Sequence, residues 1–137
     1  MAAYPQLLQT VLDCTDAREL AEFYRQLLGL RYRGGDEPPV DGSPDGADWL
    51  VLTDANGSRK VAFQQVDDLP RSTWPRAGVP QQLHLDFTVT SGAELEHQRR
   101  RAEALGAVVL LDRADDSDEP LYAFADPAGH PFCVFVV

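Results

Sequence analysis

One pattern occurs twice in this 137-residue chain and limits its fold more than any other feature. Asp16-Ala17-Arg18-Glu19 places an acid three residues after a short polar side chain, the signature of a capped helix start. Leu20, Phe23, Tyr24, Leu27 and Leu28 follow at the i, i+3, i+4, i+7, i+8 spacing of one helical face. Gly29 then offers the left-handed residue that stops a helix. Ser91-Gly92-Ala93-Glu94 opens the same device again, with Leu95, Gln98, Ala102 and Leu105 inward and Gly106 at its end. Apolar runs of strand character flank each helix. They are Gln6 to Cys14, Leu30 to Arg33, Trp49 to Thr53 and Lys60 to Val66, then Leu83 to Val89, Val108 to Leu111, Leu121 to Ala125 and Phe132 to Val137. Asn56-Gly57 marks a hairpin between the third and fourth runs. Strand, helix and three strands therefore recur at a period of about 73 residues, with Leu12-Asp13 answering Leu85-Asp86.

This repetition predicts an α+β fold of two tandem β-α-β-β-β modules, about 6–66 and 82–137, within a single domain. The crossing at 67–81 carries Pro70, Pro75, Gly78 and Pro80, and the segments 34–48 and 112–120 read as loops. One helix covers only one face of a sheet. The other face is then buried by the second module or lines a cavity.

Composition narrows the partners. Twenty-two acidic against twelve basic residues give a net charge of −10, which opposes nucleic acid. Arg99-Arg100-Arg101 falls in a helical pattern and reads as a solvated face. A small neutral or cationic ligand suits the charge better. No apolar run approaches the roughly 20 residues of a membrane span, and Met1 to Gln6 lack a basic region followed by an apolar one. The expectation is a cytoplasmic protein without membrane contact, and reduced, buried Cys14 and Cys133 suit that compartment.

Strand alternation groups the candidate site residues. Gln9, Val11 and Asp13 share one face of the first strand, and Gln82, His84 and Asp86 share one face of its counterpart. If these faces line the cavity, an acid, an amide and an imidazole meet at its floor, with Asp13 and Asp86 as internal equivalents. Each aspartate either touches ligand or pairs with arginine or backbone amides. Buried together, one of them keeps its proton. His130, in a Gly-His-Pro turn, reads as structural and His97 as an exposed helix residue. Trp49, Trp74, Phe63, Tyr122 and Phe124 are core candidates, and alternation turns some toward the cavity, where flat apolar ligands stack.

Three segments carry a family resemblance: DARELAEFYRQLLGL at 16–30, QQLHLDF at 81–87 and DPAGHPFCV at 126–134. In this order they resemble the vicinal oxygen chelate superfamily of glyoxalases, bleomycin-resistance proteins and extradiol dioxygenases. The Trp74-Pro75 crossing resembles that of glyoxalase-like domains. The resemblance implies a U-shaped mixed sheet around a ligand cavity, often completed by a second subunit, hence a homodimer. Metal-dependent members take one ligand from the first and one from the last strand of each module. His84 matches such a position and Gln9 its partner in the first module, but Gln64 or Gln65 and Cys133 stand where glutamates are expected. A hard divalent cation wants anionic oxygens, and in glyoxalase-type isomerisation a glutamate also moves the substrate proton.

The resemblance therefore implies a glyoxalase-like protein binding a small organic ligand for resistance or sequestration. Gln9, Asp13, Gln65, His84, Asp86 and Cys133 are its expected contacts, with no cofactor. The alternative is a lyase, isomerase or dioxygenase with a divalent metal at His84, or zinc held by His84, Cys133 and one of the two aspartates. A concave sheet that docks another protein is a third reading. Cys133 as a nucleophile has no base identifiable beside it.

Overall fold

The computed structural model of the chain describes residues 3–137. They fall into two compact units that divide after Asp68. The first contains β1 (Thr10–Cys14), α1 (Ala17–Leu28), β2 (Arg31–Tyr32), β3 (Trp49–Thr53) and β4 (Arg59–Gln65). Its sheet runs β1-β4-β3-β2, with β1 parallel to β4 and the remaining pairs antiparallel. The second contains β5 (Leu85–Val89), α2 (Gly92–Ala104), β6 (Val108–Arg113), β7 (Leu121–Ala125) and β8 (Pro131–Val136). Its sheet runs β5-β8-β7-β6, again with only the first pair parallel. The expected α+β class is thus present as two four-stranded mixed sheets, each with one helix. Among the described residues no helix is long and apolar enough to cross a membrane.

The caps form where the sequence places them. The Asp16 carboxylate accepts from the Glu19 amide at 3.1 Å, and the Ser91 hydroxyl accepts from the Glu94 amide at 3.1 Å. Gly29 ends α1 in the left-handed region at φ 67, a conformation costly for any residue with a Cβ. The apolar face of α1 buries Leu20, Phe23, Tyr24 and Leu27, and Tyr24 stacks on Phe63 of β4 at 5.9 Å between centroids. In the second unit Phe132 stacks on Phe124 at 5.0 Å and meets Phe87 at 5.7 Å.

By contrast, α2 buries only Leu95 and Ala102. Polar clamps supplement this thin apolar contact. The Tyr122 hydroxyl on β7 donates to Glu96, Arg99 donates to the same carboxylate at 3.0 Å, and its guanidinium lies 5.8 Å from the Tyr122 ring. The first unit repeats the arrangement. Tyr32 donates to Glu22 at 2.6 Å, Arg25 donates to Glu22 at 2.7 Å, and Arg18 lies 4.9 Å over the Tyr32 ring. Arg18 also reaches Asp45 and the Asp36 carbonyl, both at 2.7 Å, which holds the 34–48 loop against α1. Burial first, and the neighbouring glutamate second, push each tyrosine up to about 12.

Several expectations are corrected. The first strand begins at Thr10 rather than Gln6, and Leu7 stays 92% exposed, so the apolar residues before Thr10 are not core. Trp49 is 36% exposed rather than core, because it is the first residue of β3, whereas Val51 on the same face is buried. The sixth strand continues to Arg113, two residues past the predicted end. The helix α2 is capped by Leu105 in the right-handed region, with Gly106 one residue beyond. Arg99 is half-buried and paired with Glu96 and Glu103 rather than merely solvated. The crossing packs with the second unit, where Arg71 donates to the Pro127 carbonyl at 2.8 Å.

Tyr122→Phe removes one part-buried, charge-assisted hydrogen bond and should lower unfolding free energy by about 1 kcal/mol in urea titrations near neutral pH. Tyr122, and then Arg99, hold Glu96 below the ordinary glutamate range. A depressed folded-state pKa contributes stability that is present above the unfolded value of about 4.3 and is lost as pH falls through the folded value. The gap between wild type and Tyr122→Phe should therefore shrink in acid. A gap that stays constant from neutral pH down to pH ~3 would contradict this account of the clamp.

Candidate functional site

Alternation along β5 sends Phe87 toward α2 and its buried aromatic neighbours, leaving His84, Asp86 and Thr88 on the opposite face. Parallel pairing sets Asp86 beside Cys133 of β8, and antiparallel pairing sets Cys133 beside the buried Ala123 of β7. Large side chains line one side of this sheet and small ones the middle of the other. His84 Nε2 lies 3.3 Å from Asp86 Oδ1. The ligand-bearing atoms of His84, Asp86 and Cys133 all lie within 4.8 Å of one another. His84 and Asp86 are exposed and Cys133 is half-buried, so the expectation of two buried thiols holds only for Cys14. Burial pushes the Cys133 thiol up, and the negative charges of Asp86 and Glu119 push it further. A thiol shifted in this direction is less reactive than free cysteine.

The first unit presents a sparser face. Gln9 precedes β1, half-buried, and its Oε1 is buried without a hydrogen-bond partner among the described residues. Gln81 repeats this condition just before β5, a feature that sequence reading missed. Asp13 lies half-buried on β1, opposite Gln64 of β4. Gln65 is on the other face. Its Oε1 accepts from the Ala17 amide at 2.9 Å, satisfying one of the open N–H groups at the start of α1. Of the two adjacent glutamines, Gln64 shares the face of Asp13 and Gln65 is a helix cap. Alternation cannot choose between neighbours; the open amide of Ala17 decides.

The internal correspondence also shifts. The N-caps Asp16 and Ser91 stand 75 positions apart. Val11 pairs with Ala62 as Asp86 pairs with Cys133. Gln9 therefore answers His84, Val11 answers Asp86, and Asp13 answers Thr88. Asp13 and Asp86 are not equivalents, because the period before each helix is 75 rather than 73. Among the described residues, Asp86 is the aspartate that joins His84 and Cys133.

An imidazole, one carboxylate and one thiol are a borderline donor set. They do not fit a hard cation such as magnesium or manganese, which gathers several oxygens. Zinc matches the donor types, provided that Cys133 gives up its proton.

Residues 9–135 match the family model described as a glyoxalase-like domain, and the chain belongs to that family. Solved structures agree on the fold. A glyoxalase/bleomycin resistance protein/dioxygenase family enzyme from Burkholderia phytofirmans PsJN is similar at TM-score 0.67 and 15% identity, over 95% of this chain and 97% of that one. The fosfomycin resistance protein FosX from Mesorhizobium loti is similar at 0.65 and 14%, over 100% and 94% of the two chains. Lactoylglutathione lyase from Agrobacterium tumefaciens is similar at 0.60 and 19%, over 98% and 96%. None of the curated proteins compared with the sequence matches it.

The thiol offers a direct check on this geometry. Cys14 is buried, so under native conditions a disulfide reagent such as Ellman's should titrate one thiol, Cys133, more slowly than free cysteine. Asp86→Asn removes a charge that opposes the thiolate and should speed the reaction at pH 8. An unchanged or slower rate in the variant would remove Asp86 as a determinant of the thiol.

Proposed function

We propose that the chain binds a small organic ligand at the His84–Asp86–Cys133 face of the second unit. One observation carries this reading: an imidazole, a carboxylate and a thiol meet within 4.8 Å on one strand pair. His84 and Cys133 also stand where the family resemblance places ligand-gathering side chains. The charge of −10 and the exposed Asp86 favour a neutral or cationic ligand. Sequestration, as in resistance proteins, is the role that needs no further catalytic group. The family model runs through both units, which supports reading the chain as one functional domain.

The proposed binding does not use a resident divalent cation. The glutamates expected at the Gln64–Gln65 and Cys133 positions are missing, so the desolvation of a doubly charged ion goes largely uncompensated. The elevated thiol adds a proton to be displaced. The second reading is a metal-dependent lyase, isomerase or dioxygenase, and the same cluster favours it, since nitrogen, oxygen and sulfur donors in reach of each other suit zinc.

Elemental mass spectrometry of protein purified without an affinity tag separates the two. Less than about 0.2 equivalents of Ni, Co, Mn, Fe or Zn is expected, as adventitious ion. Stoichiometric metal that disappears in His84→Ala together with lyase, isomerase or dioxygenase activity would establish the second reading. For ligands found by NMR screening of neutral and cationic compounds, His84→Ala should weaken binding by about 1–2 kcal/mol, the scale of one lost polar contact.

A homodimer completes the proposal. The sheets end in the edge strands β1 and β2, or β5 and β6; exposed Leu7 and Leu8 precede β1, and Val11 is exposed on it. Light scattering should give twice the 15.1 kDa chain mass, and a monomer mass at high concentration would refute it.

A further inference from the structure

The crossing segment builds a recess that shares no residue with the His84 face. It encloses about 510 Å³ between residues 71–76 and the edge strand β6, within the ~300–1,000 Å³ of small-molecule sites. Its floor is apolar. The register of β6 against β7 shifts between Val109 and Leu111, so Leu110 has no partner on β7. A bulge of this kind re-aims a side chain, and Leu110 lines the recess beside Val109. The half-buried indole of Trp74 supplies an aromatic wall.

The rim is cationic. Arg71 is tethered: it donates to the Pro127 carbonyl at 2.8 Å, and its side chain lies where a Cβ on Gly129 would come within 3.2 Å of it. Arg76 is different. Its backbone bonds to Thr73, but its guanidinium has no hydrogen bond or ion pair with any described residue. Arg18, Arg25, Arg33 and Arg99 pair with carboxylates, whereas the Arg76 guanidinium stands beside an indole on the rim of a recess. The loop that presents it is fixed in advance. Thr73 Oγ1 accepts from the Val79 amide at 2.9 Å, the Thr73 amide donates to the Val79 carbonyl at 2.8 Å, and Ser72 Oγ accepts from the Trp74 amide at 3.2 Å. A preformed site binds without first ordering its own walls.

We infer that this recess binds a flat apolar carboxylate, its ring against Trp74, Val109 and Leu110 and its carboxylate on Arg76. The planar guanidinium presents paired donors that match the two carboxylate oxygens, and a flat ring covers indole and aliphatic surface together. The preferred charge is opposite to that proposed for the ligand of the His84 face, so the two sites are separable by ligand chemistry alone.

The test is NMR of the full ¹⁵N-labelled chain titrated with naphthalene-2-carboxylate and, separately, with naphthalene-2-carboxamide. Saturable shifts are expected at the Trp74 indole N–H and at the amides of Arg76, Val109 and Leu110, with the Trp49 indole as the internal control. The uncharged amide should bind about fivefold more weakly, and Arg76→Gln should weaken the carboxylate about fivefold while leaving the carboxamide unchanged. Arg76→Lys should restore part of the loss. Arg76 holds nothing else in place, so the variants report on binding rather than folding. Shifts absent at Trp74 up to ~10 mM ligand, equal binding of acid and amide, or indifference to Arg76→Gln would each overturn the inference. His84→Ala should leave this titration unchanged, which keeps its outcome separate from that of the proposed function.

Discussion

A four-stranded sheet has two faces, and each unit of this chain owns a single helix. That shortage of cover governs the rest. The helix-facing side of each sheet takes the large apolar residues, Phe63 and Leu12 in the first unit, Phe124 and Phe132 in the second. The opposite side has no helix to meet, and it mixes small and polar residues, Ala62, Asp13 and Gln64, then Ala123, Cys133, Asp86 and His84, with larger ones such as Val51 and Phe135. The polar positions on such a face are the ones available for chemistry. The candidate site is thus a consequence of fold economy, on the surface that the helices cannot reach.

The two helices solve attachment differently. α1 carries a wide apolar stripe and docks by burial. α2 has almost none, so the Tyr122–Glu96–Arg99 clamp carries a larger share of its attachment. Hydrogen bonds and ion pairs at a half-exposed edge depend on protonation and salt in a way that burial does not. The second unit, which holds the His84–Asp86–Cys133 cluster, is accordingly the one whose helix responds more to solvent conditions.

Much of this was legible in the sequence because helix starts and strand periods are local signals. Asp16 and Ser91, each followed by a glutamate, located both helices to within a residue, and Asn56-Gly57 located its hairpin. Registers between strands are not local. The choice between Gln64 and Gln65 depends on an amide of α1 almost fifty residues away, and the equivalence of Asp13 and Asp86 failed because it was counted along the chain rather than across the ladder. The recess at Trp74 escaped for the same reason. It needs the crossing loop and a bulge in β6, which sequence alone does not bring together.

Gln64 and Gln65 show how finely such a chain divides its duties. They are chemically identical neighbours, yet one side chain closes the start of a helix while the other lies on the opposite face of the sheet, beside Asp13. Drift in sequence meets very different resistance at the two. Position 64 is open to exchange without disturbing the helix. Position 65 is held by the fold itself. A lineage of such proteins can therefore vary one residue beside a position it is obliged to keep.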